Sequence, residues 1–164
     1  MKKLWGIVWL CLLLAGCGGE ETFETVADPV VVPAAAPASQ ILIRLPEEAA
    51  ALVLAAGERQ IYECGDYEIL LETRPSGDFP ETVRYLTGFD ADALTVVQTR
   101  QGDYDRYEFV WSCAGEQGQR MGRGAVLDDG NRHYCLSVLW DTAMEAEAWG
   151  SWQQVFASFT LDQS

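Results

Sequence analysis

The stretch YDRYEFVWSC, residues 104–113, carries the clearest structural signal in the chain. Tyr107, Phe109, Trp111 and Cys113 recur at every second position within it. Side chains two positions apart share one face of a β-strand, whereas a helix would scatter them. The stretch therefore predicts a strand with one apolar face.

Similar runs flank this strand on both sides and are separated from it by turn residues. The run Leu94–Arg100 is rich in β-branched residues and leads through Gly102-Asp103 into the central strand. Two further runs, Gln119–Asp128 and Arg132–Trp140, are joined by Asp129-Gly130, a common hairpin turn sequence. Short turns join antiparallel neighbours, so these four runs predict an antiparallel meander.

The segment before the meander predicts a mixture of strands and helices. Residues Ile41–Leu45 form a short apolar run that indicates a strand. Pro46 then opens an alanine-rich segment that ends at Gly57, a pattern typical of a helix. Residues 59–63 and 67–73 indicate a hairpin.

Two more helices are predicted, one on each side of the meander. Asp78 is a candidate N-cap for a helix over Pro80–Thr87, which Gly88 would end. A capping box at Thr142–Glu145 starts the last helix. That helix carries an apolar stripe of Trp149, Trp152, Phe156 and Phe159, and a short strand is expected at its end.

The order of these elements predicts an α+β fold. Hairpins dominate, so the sheet is expected to be mostly antiparallel, with helices packed on both faces and an amphipathic helix at the C-terminus. The tryptophan most expected to be exposed is Trp140, at a strand end just before that helix.

The N-terminal segment has the sequence features of an export signal. Lys2 and Lys3 precede an apolar stretch, Leu4–Leu14, that is too short for an ordinary membrane span. It ends in Leu14-Ala15-Gly16-Cys17, which resembles the lipobox of bacterial lipoproteins. The resemblance implies a signal peptide over residues 1–16, cleavage before Cys17, and a diacylglycerol on the Cys17 thiol. It also implies a location on the extracytoplasmic face of a bacterial membrane.

The remaining chain divides into a tether and one domain. Residues 17–39 hold the lipid-bearing cysteine and a Pro/Ala-rich stretch, which favours an extended spacer. Residues 40–164 are expected to form a single α+β domain. Their opening strand ending in Leu45-Pro46, the meander, and a helix closing on Ser158-Phe159 resemble the PsbP-like fold. That resemblance implies an α/β/α sandwich that acts by binding partners and brings no catalytic motif.

Charge excludes several functions. The chain has 25 acidic and 11 basic residues, for a net charge of −14. Cleavage before Cys17 would remove Lys2 and Lys3, the only lysines, and the nine arginines against 25 acids would leave −16. Such a chain repels nucleic-acid phosphates and anionic lipid head groups. A mature chain without lysine also has no Schiff-base chemistry.

Candidate chemical sites are few. The acidic pair Asp128-Asp129 with Asn131 has closely spaced oxygens of the kind that bind calcium, although a β-turn explains this pattern more simply. The single histidine, His133, is followed two residues later by Cys135, too far along a strand for a catalytic hydrogen bond.

The cysteines leave two alternatives open. An oxidising compartment favours a disulfide between Cys64 and either Cys113 or Cys135, whereas buried free thiols are equally compatible with the spacing. Three cysteines in the mature domain leave one unpaired in either case.

The expected function is that of a non-enzymatic, lipid-anchored envelope protein that binds a protein or another envelope component, with no cofactor besides the covalent lipid. A small-ligand or calcium-binding module that uses the acidic loops is the alternative. A small carboxylate-based hydrolase is the third and least favoured hypothesis.

Overall fold

The computed structural model describes residues 37–46, 50–115, 118–142 and 146–162, all within the compact unit Ala35–Ser164. Runs of alternating β-branched and aromatic residues form most of its strands. The strands are β1 (Ile41–Leu42), β2 (Ala51–Ala56), β3 (Arg59–Cys64), β4 (Tyr67–Pro75), β5 (Val96–Gln101), β6 (Tyr104–Gly115), β7 (Gly118–Asp128), β8 (Arg132–Asp141) and β9 (Thr160–Leu161). The helices are α1 (Phe79–Thr87) and α2 (Ala146–Ser158).

One seven-stranded sheet organises these elements. Its strand order is β2-β3-β4-β8-β7-β6-β5, and every neighbouring pair is antiparallel. The meander predicted from the sequence is confirmed, because β5 to β8 follow one another through short turns. A separate two-stranded ladder joins β1 to β9, with Ile41 opposite Leu161.

The two faces of the sheet carry different clusters of side chains. The alternation predicted for residues 104–113 is confirmed: Phe109 and Trp111 are buried on one face, with Tyr107 and Cys113 packed against them. Helix α1 covers part of this face through Val83, so we call it the α1 face. The opposite side, which we call the α2 face, packs against Trp152, Val155 and Phe156 of α2 and holds the larger core cluster.

Glycine and capping residues in the sequence correctly predict where several strands and helices end. The hairpin of β3 and β4 turns at Gly65, whose φ of 64° is the left-handed conformation that glycine adopts without strain. Helix α1 ends at Gly88, which has a φ of 79°, as expected. Asp78 is the N-cap residue of α1, as predicted, although its side chain makes no capping hydrogen bond. The capping-box residues 143–145 lie outside the described part of the chain.

The predicted α+β fold, a helix-packed α/β/α sandwich of the PsbP-like type, is wrong. The described residues contain nine strands and two helices, and the fold is mostly antiparallel β. Residues 51–56, predicted as part of the first helix, are strand β2 and pair with β3. Alanine favours a helix by only a few tenths of a kcal/mol per residue, which sheet pairing outweighs.

Candidate functional site

Strand β2 is the most exposed apolar element in the described part of the chain. It forms one edge of the sheet, and all six of its residues are exposed. Leu52, Val53 and Leu54 are 52%, 55% and 39% exposed. The strand contains neither a charge nor a proline, the usual means by which an edge is protected from pairing with other chains. Among the described residues only β3 pairs with β2, so within that part of the chain the outer side of β2 is open to strand addition.

A β-bulge at Val53 makes this edge apolar on both faces of the sheet. Leu52 lies opposite Tyr62, whereas Leu54 lies opposite Ile61, so one residue of β2 is unpaired between them. Tyr62 packs against the core of the α2 face. Because directly opposite residues share a face, Leu52 also lies on the α2 face and Leu54 on the α1 face.

The two ends of β2 differ in charge. At the Ala56 end, Glu58 lies 3.2 Å from Arg132, and Arg59 lies 4.0 Å from Glu72. At the other end, Ala51 is the register partner of Glu63. Glu63 and Asp66 are exposed, and no arginine among the described residues pairs with either of them. The Ala51 end is thus the acidic end of the strand.

A cavity of about 710 Å³ adjoins the acidic end. Its lining includes the acidic residues Glu63, Asp66, Glu68 and Asp141 and the basic residue Arg120. The Arg120 guanidinium lies 3.3 Å from Glu68 and 3.4 Å from Asp141, so these two carboxylates are already partnered. Glu63 and Asp66 remain open to a cation from outside.

Thr82, His133 and Asp128 resemble a catalytic triad in composition but not in exposure. His133 Nδ1 lies 2.8 Å from Thr82 Oγ1, and Nε2 lies 3.5 Å from an Asp128 oxygen. His133 is fully buried and Thr82 is only 4% exposed. A substrate has no access to either side chain, so the pair connects α1 to β8 and has no catalytic role.

Cys135 is equally inert. It is completely buried beneath α1, and its thiol contacts the carbonyl oxygen of His133. Burial, with a smaller contribution from Glu72, raises the pKa of Cys135 to about 12. The reactive form of a cysteine is the thiolate, which is scarce at neutral pH for such a group. A Cys–His nucleophile at these positions is therefore excluded.

The other two cysteines of the domain lie far from Cys135 in the sheet. Cys64 is in β3 and packs into the α2 face, whereas Cys113 is in β6 and packs on the α1 face. All three thiols are free in the structure. Cys113, which is half-buried, lines the cavity beside the acidic end of β2.

The acidic residues suggested as calcium ligands build a turn. Asp128 accepts a hydrogen bond from the Gly130 amide, and Asp129 accepts bonds from the amides of Asn131 and Arg132. The second Asp129 oxygen accepts the Tyr134 hydroxyl at 2.9 Å. Within the described ranges, no group of three or more His, Cys, Asp or Glu side chains is arranged to hold a metal ion.

The predicted lipid site, Cys17, lies outside the described residues, as does the rest of the signal segment. No helix among the described residues is long and apolar enough to cross a membrane. Lipidation of Cys17 stays a prediction from the sequence.

Comparisons with known proteins identify the architecture only. No protein-family model matches the chain, and no curated protein does. A crystal structure of a protein from Bacteroides thetaiotaomicron superposes with a TM-score of 0.52 at 9% sequence identity. The match covers 76% of this chain and 46% of that protein, less than half of its length. It supports a mainly antiparallel β class and carries no function.

Sequence reasoning missed the edge strand, although the chain contains a signal for it. Gly57-Glu58 is a two-residue connection between β2 and β3, and Gly57 has a φ of 60°. Glycine at the first position of such a connection is typical of a hairpin. Applied to the apolar run Leu52–Leu54, that signal indicates a strand instead of a helix.

Proposed function

We propose that this chain is a lipid-anchored protein of the bacterial cell envelope that binds another protein by β-strand addition to β2. The observation that carries the proposal is the exposed, uncharged edge strand Ala51–Ala56. An added strand gains main-chain hydrogen bonds along the edge and covers the apolar side chains there. Exposed apolar surface of this kind is typical of interaction sites.

The anchor rests on the lipobox Leu14-Ala15-Gly16-Cys17. Each methylene of a buried acyl chain adds about 0.8 kcal/mol of membrane affinity, so two chains on Cys17 hold a protein stably. The segment 17–39 would space the domain from an anionic surface that repels it. The bound protein would then be one that reaches the extracytoplasmic face of the membrane.

The occupant we propose is a different protein, not a second copy. Two copies would bring together bodies that each carry a net charge of −14, or −16 after removal of the signal segment. Like charges oppose such an association, whereas a partner with basic groups is attracted.

Replacing Cys17 with alanine should abolish the anchor. The variant lacks the thiol that would carry the lipid, so we expect it to lack the lipid mass in intact-protein mass spectrometry. We expect the protein to be either soluble, and so absent from the detergent phase in a Triton X-114 partition, or unprocessed, with the apolar stretch Leu4–Leu14 still attached. Cys11→Ala, within the apolar stretch but outside the lipobox, is the matched control and should behave as the wild type. A Cys17→Ala protein that is fully processed and still in the detergent phase would contradict the anchor.

Replacing Val53 with lysine should weaken the binding of the partner to β2. An edge lysine opposes strand addition, and we expect the cross-linked yield of the partner on intact cells to fall about tenfold, the equivalent of 1.4 kcal/mol. Val97→Lys on β5, the opposite edge, is the matched control, because Val97 is also 55% exposed.

The readout is quantitative mass spectrometry of the cross-linked species, with thermal melting to show that both variants fold. Equal yields from the two variants would exclude β2 as the binding edge. A cross-link from β2 to a second copy of the chain would overturn the choice of occupant.

A further inference from the structure

We infer that the partner presents to β2 a run of consecutive apolar residues followed directly by lysine or arginine, and that it runs antiparallel to β2. The inference rests on the proposed function and names the chemistry of the segment that it requires. Three features of the edge support it: the bulge at Val53, the length of β2, and the charge difference between its ends.

The bulge determines the pattern of the partner's side chains. Leu52 lies on the α2 face and Leu54 on the α1 face, so apolar surface continues past the edge on both sides of the sheet. A strand with alternating polar and apolar residues would cover one leucine and leave the other beside a polar group. A run of consecutive apolar residues covers both, as in strands that are buried on both faces.

The length of the edge limits the length of the run. Strand β2 has six residues, which span about 20 Å at ~3.3 Å per residue. Beyond Ala56 the chain turns at Gly57 towards Glu58 and Arg59, which already have ion-pair partners. A partner segment of about five residues therefore matches the apolar part of the edge.

Charge determines which end of the segment is basic. Glu63 and Asp66 are exposed at the Ala51 end without an arginine partner among the described side chains, whereas the charges at the Ala56 end are balanced. Two strand spacings, about 10 Å, separate an added strand from β3 and Glu63. That distance exceeds the Debye length of about 8 Å at physiological salt, so the attraction requires a long lysine or arginine side chain that carries its charge closer to Glu63.

The cavity beside Glu63 gives that cation room. It has a volume of about 710 Å³ and keeps the carboxylates of Glu63 and Asp66 accessible to a long, flexible side chain. Every pairing within the sheet is antiparallel, and an antiparallel segment places its C-terminal end beside Ala51. The basic residues should thus follow the apolar run.

A peptide array tests the inference directly. The full lipidated chain, solubilised in a non-ionic detergent, is applied to immobilised peptides with the core Val-Ile-Val-Leu-Val. The core is followed by two lysines, preceded by two lysines, or followed by two glutamates. We expect the peptide with lysines after the core to bind about fivefold more protein than the peptide with glutamates, and more than the peptide with lysines before the core.

Two double variants identify the source of the preference. Glu63→Gln with Asp66→Asn should reduce the fivefold ratio to the smaller preference that the remaining net charge produces. Asp92→Asn with Asp103→Asn changes the net charge equally at exposed positions beside β5, and it should leave the ratio unchanged.

The outcomes separate the inference from the proposed function. If Val53→Lys abolishes the cellular cross-link but the array shows no preference for basic peptides, the inference fails and the proposed function stands. If the preference is present but the Asp92/Asp103 variant loses it equally, net charge alone is responsible and the inference is overturned. If Val53→Lys affects neither assay, both fail.

Discussion

Replacing Arg106 with methionine should lower the free energy of unfolding by about 3–5 kcal/mol. Arg106 is only 9% exposed, and its guanidinium donates to the carbonyl oxygens of Phe159 and Phe156 at 3.0 and 2.9 Å. It also donates to Glu108 at 2.8 Å. Methionine fills similar space but donates no hydrogen bond, so the end of α2 loses its cap and Glu108 loses a partner. Chemical denaturation measures the difference.

The matched control is Arg100→Met in the neighbouring strand. The Arg100 side chain is 61% exposed and pairs with Asp105 at 3.1 Å, an arrangement that contributes less than about 1 kcal/mol. We expect this variant to unfold almost like the wild type. An Arg106→Met protein within 1 kcal/mol of the wild type would show that Arg106 does not hold α2 on the sheet.

The contribution of Arg106 should also be visible in the pH dependence of the free energy of unfolding. Burial raises the pKa of Glu108, but hydrogen bonds from Arg123 and Arg106 outweigh burial and hold that pKa below its ordinary value of 4.5. The stabilisation from this carboxylate is therefore complete above the ordinary value and is lost as the pH falls through the lowered one. In Arg106→Met we expect a shallower loss of stability as the pH falls below the ordinary value of 4.5.

Replacing Gly122 with alanine should cost about 3 kcal/mol, the upper part of the range for an overpacked core. Gly122 lies directly opposite Trp111 in the sheet, and a Cβ at this position would lie 2.2 Å from Trp111 Cε2. The Trp111 ring is only 5% exposed and occupies the space that a side chain would need. Thermal or chemical unfolding of the purified variant measures the cost.

Two further variants test whether the contact with Trp111 causes the loss of stability. Gly150→Ala, in α2, meets no atom within 4 Å and should stabilise the protein by up to about 1 kcal/mol. In a Trp111→Leu background, Gly122→Ala should cost less than it does in the wild type, because the clash has been removed. An equal cost in both backgrounds would mean that the Trp111 contact is not the cause.

The meander was predictable because its signal is local. The alternation in residues 104–113 and the turns at Gly102-Asp103 and Asp129-Gly130 determine both the strands and their order. Strand β2 was not predictable from propensity, because alanine and leucine favour a helix until β3 provides a pairing partner. The exposed edge strand was missed for the same reason.

Long-range packing explains two further differences from the sequence analysis. Trp140, expected to be the most exposed tryptophan, is 4% exposed and stacks on Trp152 with 4.9 Å between ring centroids. The burial of Arg106 was not predictable either, because in the sequence it is simply a charged residue within a strand. It is buried because the end of α2 places the carbonyl oxygens of Phe156 and Phe159 next to its guanidinium. Both features depend on contacts between distant segments, which periodicity does not report.

The two-stranded ladder of β1 and β9 has a mechanical consequence. Any pull on the chain upstream of Pro37 reaches the domain through Ser39, whose amide donates to the Tyr134 hydroxyl, and Gln40, whose carbonyl accepts from Asp162. These few bonds and the short ladder bear the load before the seven-stranded sheet does. Under tension, β1 would peel away first and lengthen the extended chain ahead of the sheet by about 3.3 Å for each residue released. The short ladder would thus yield under tension while the exposed edge strand β2 stays paired with β3.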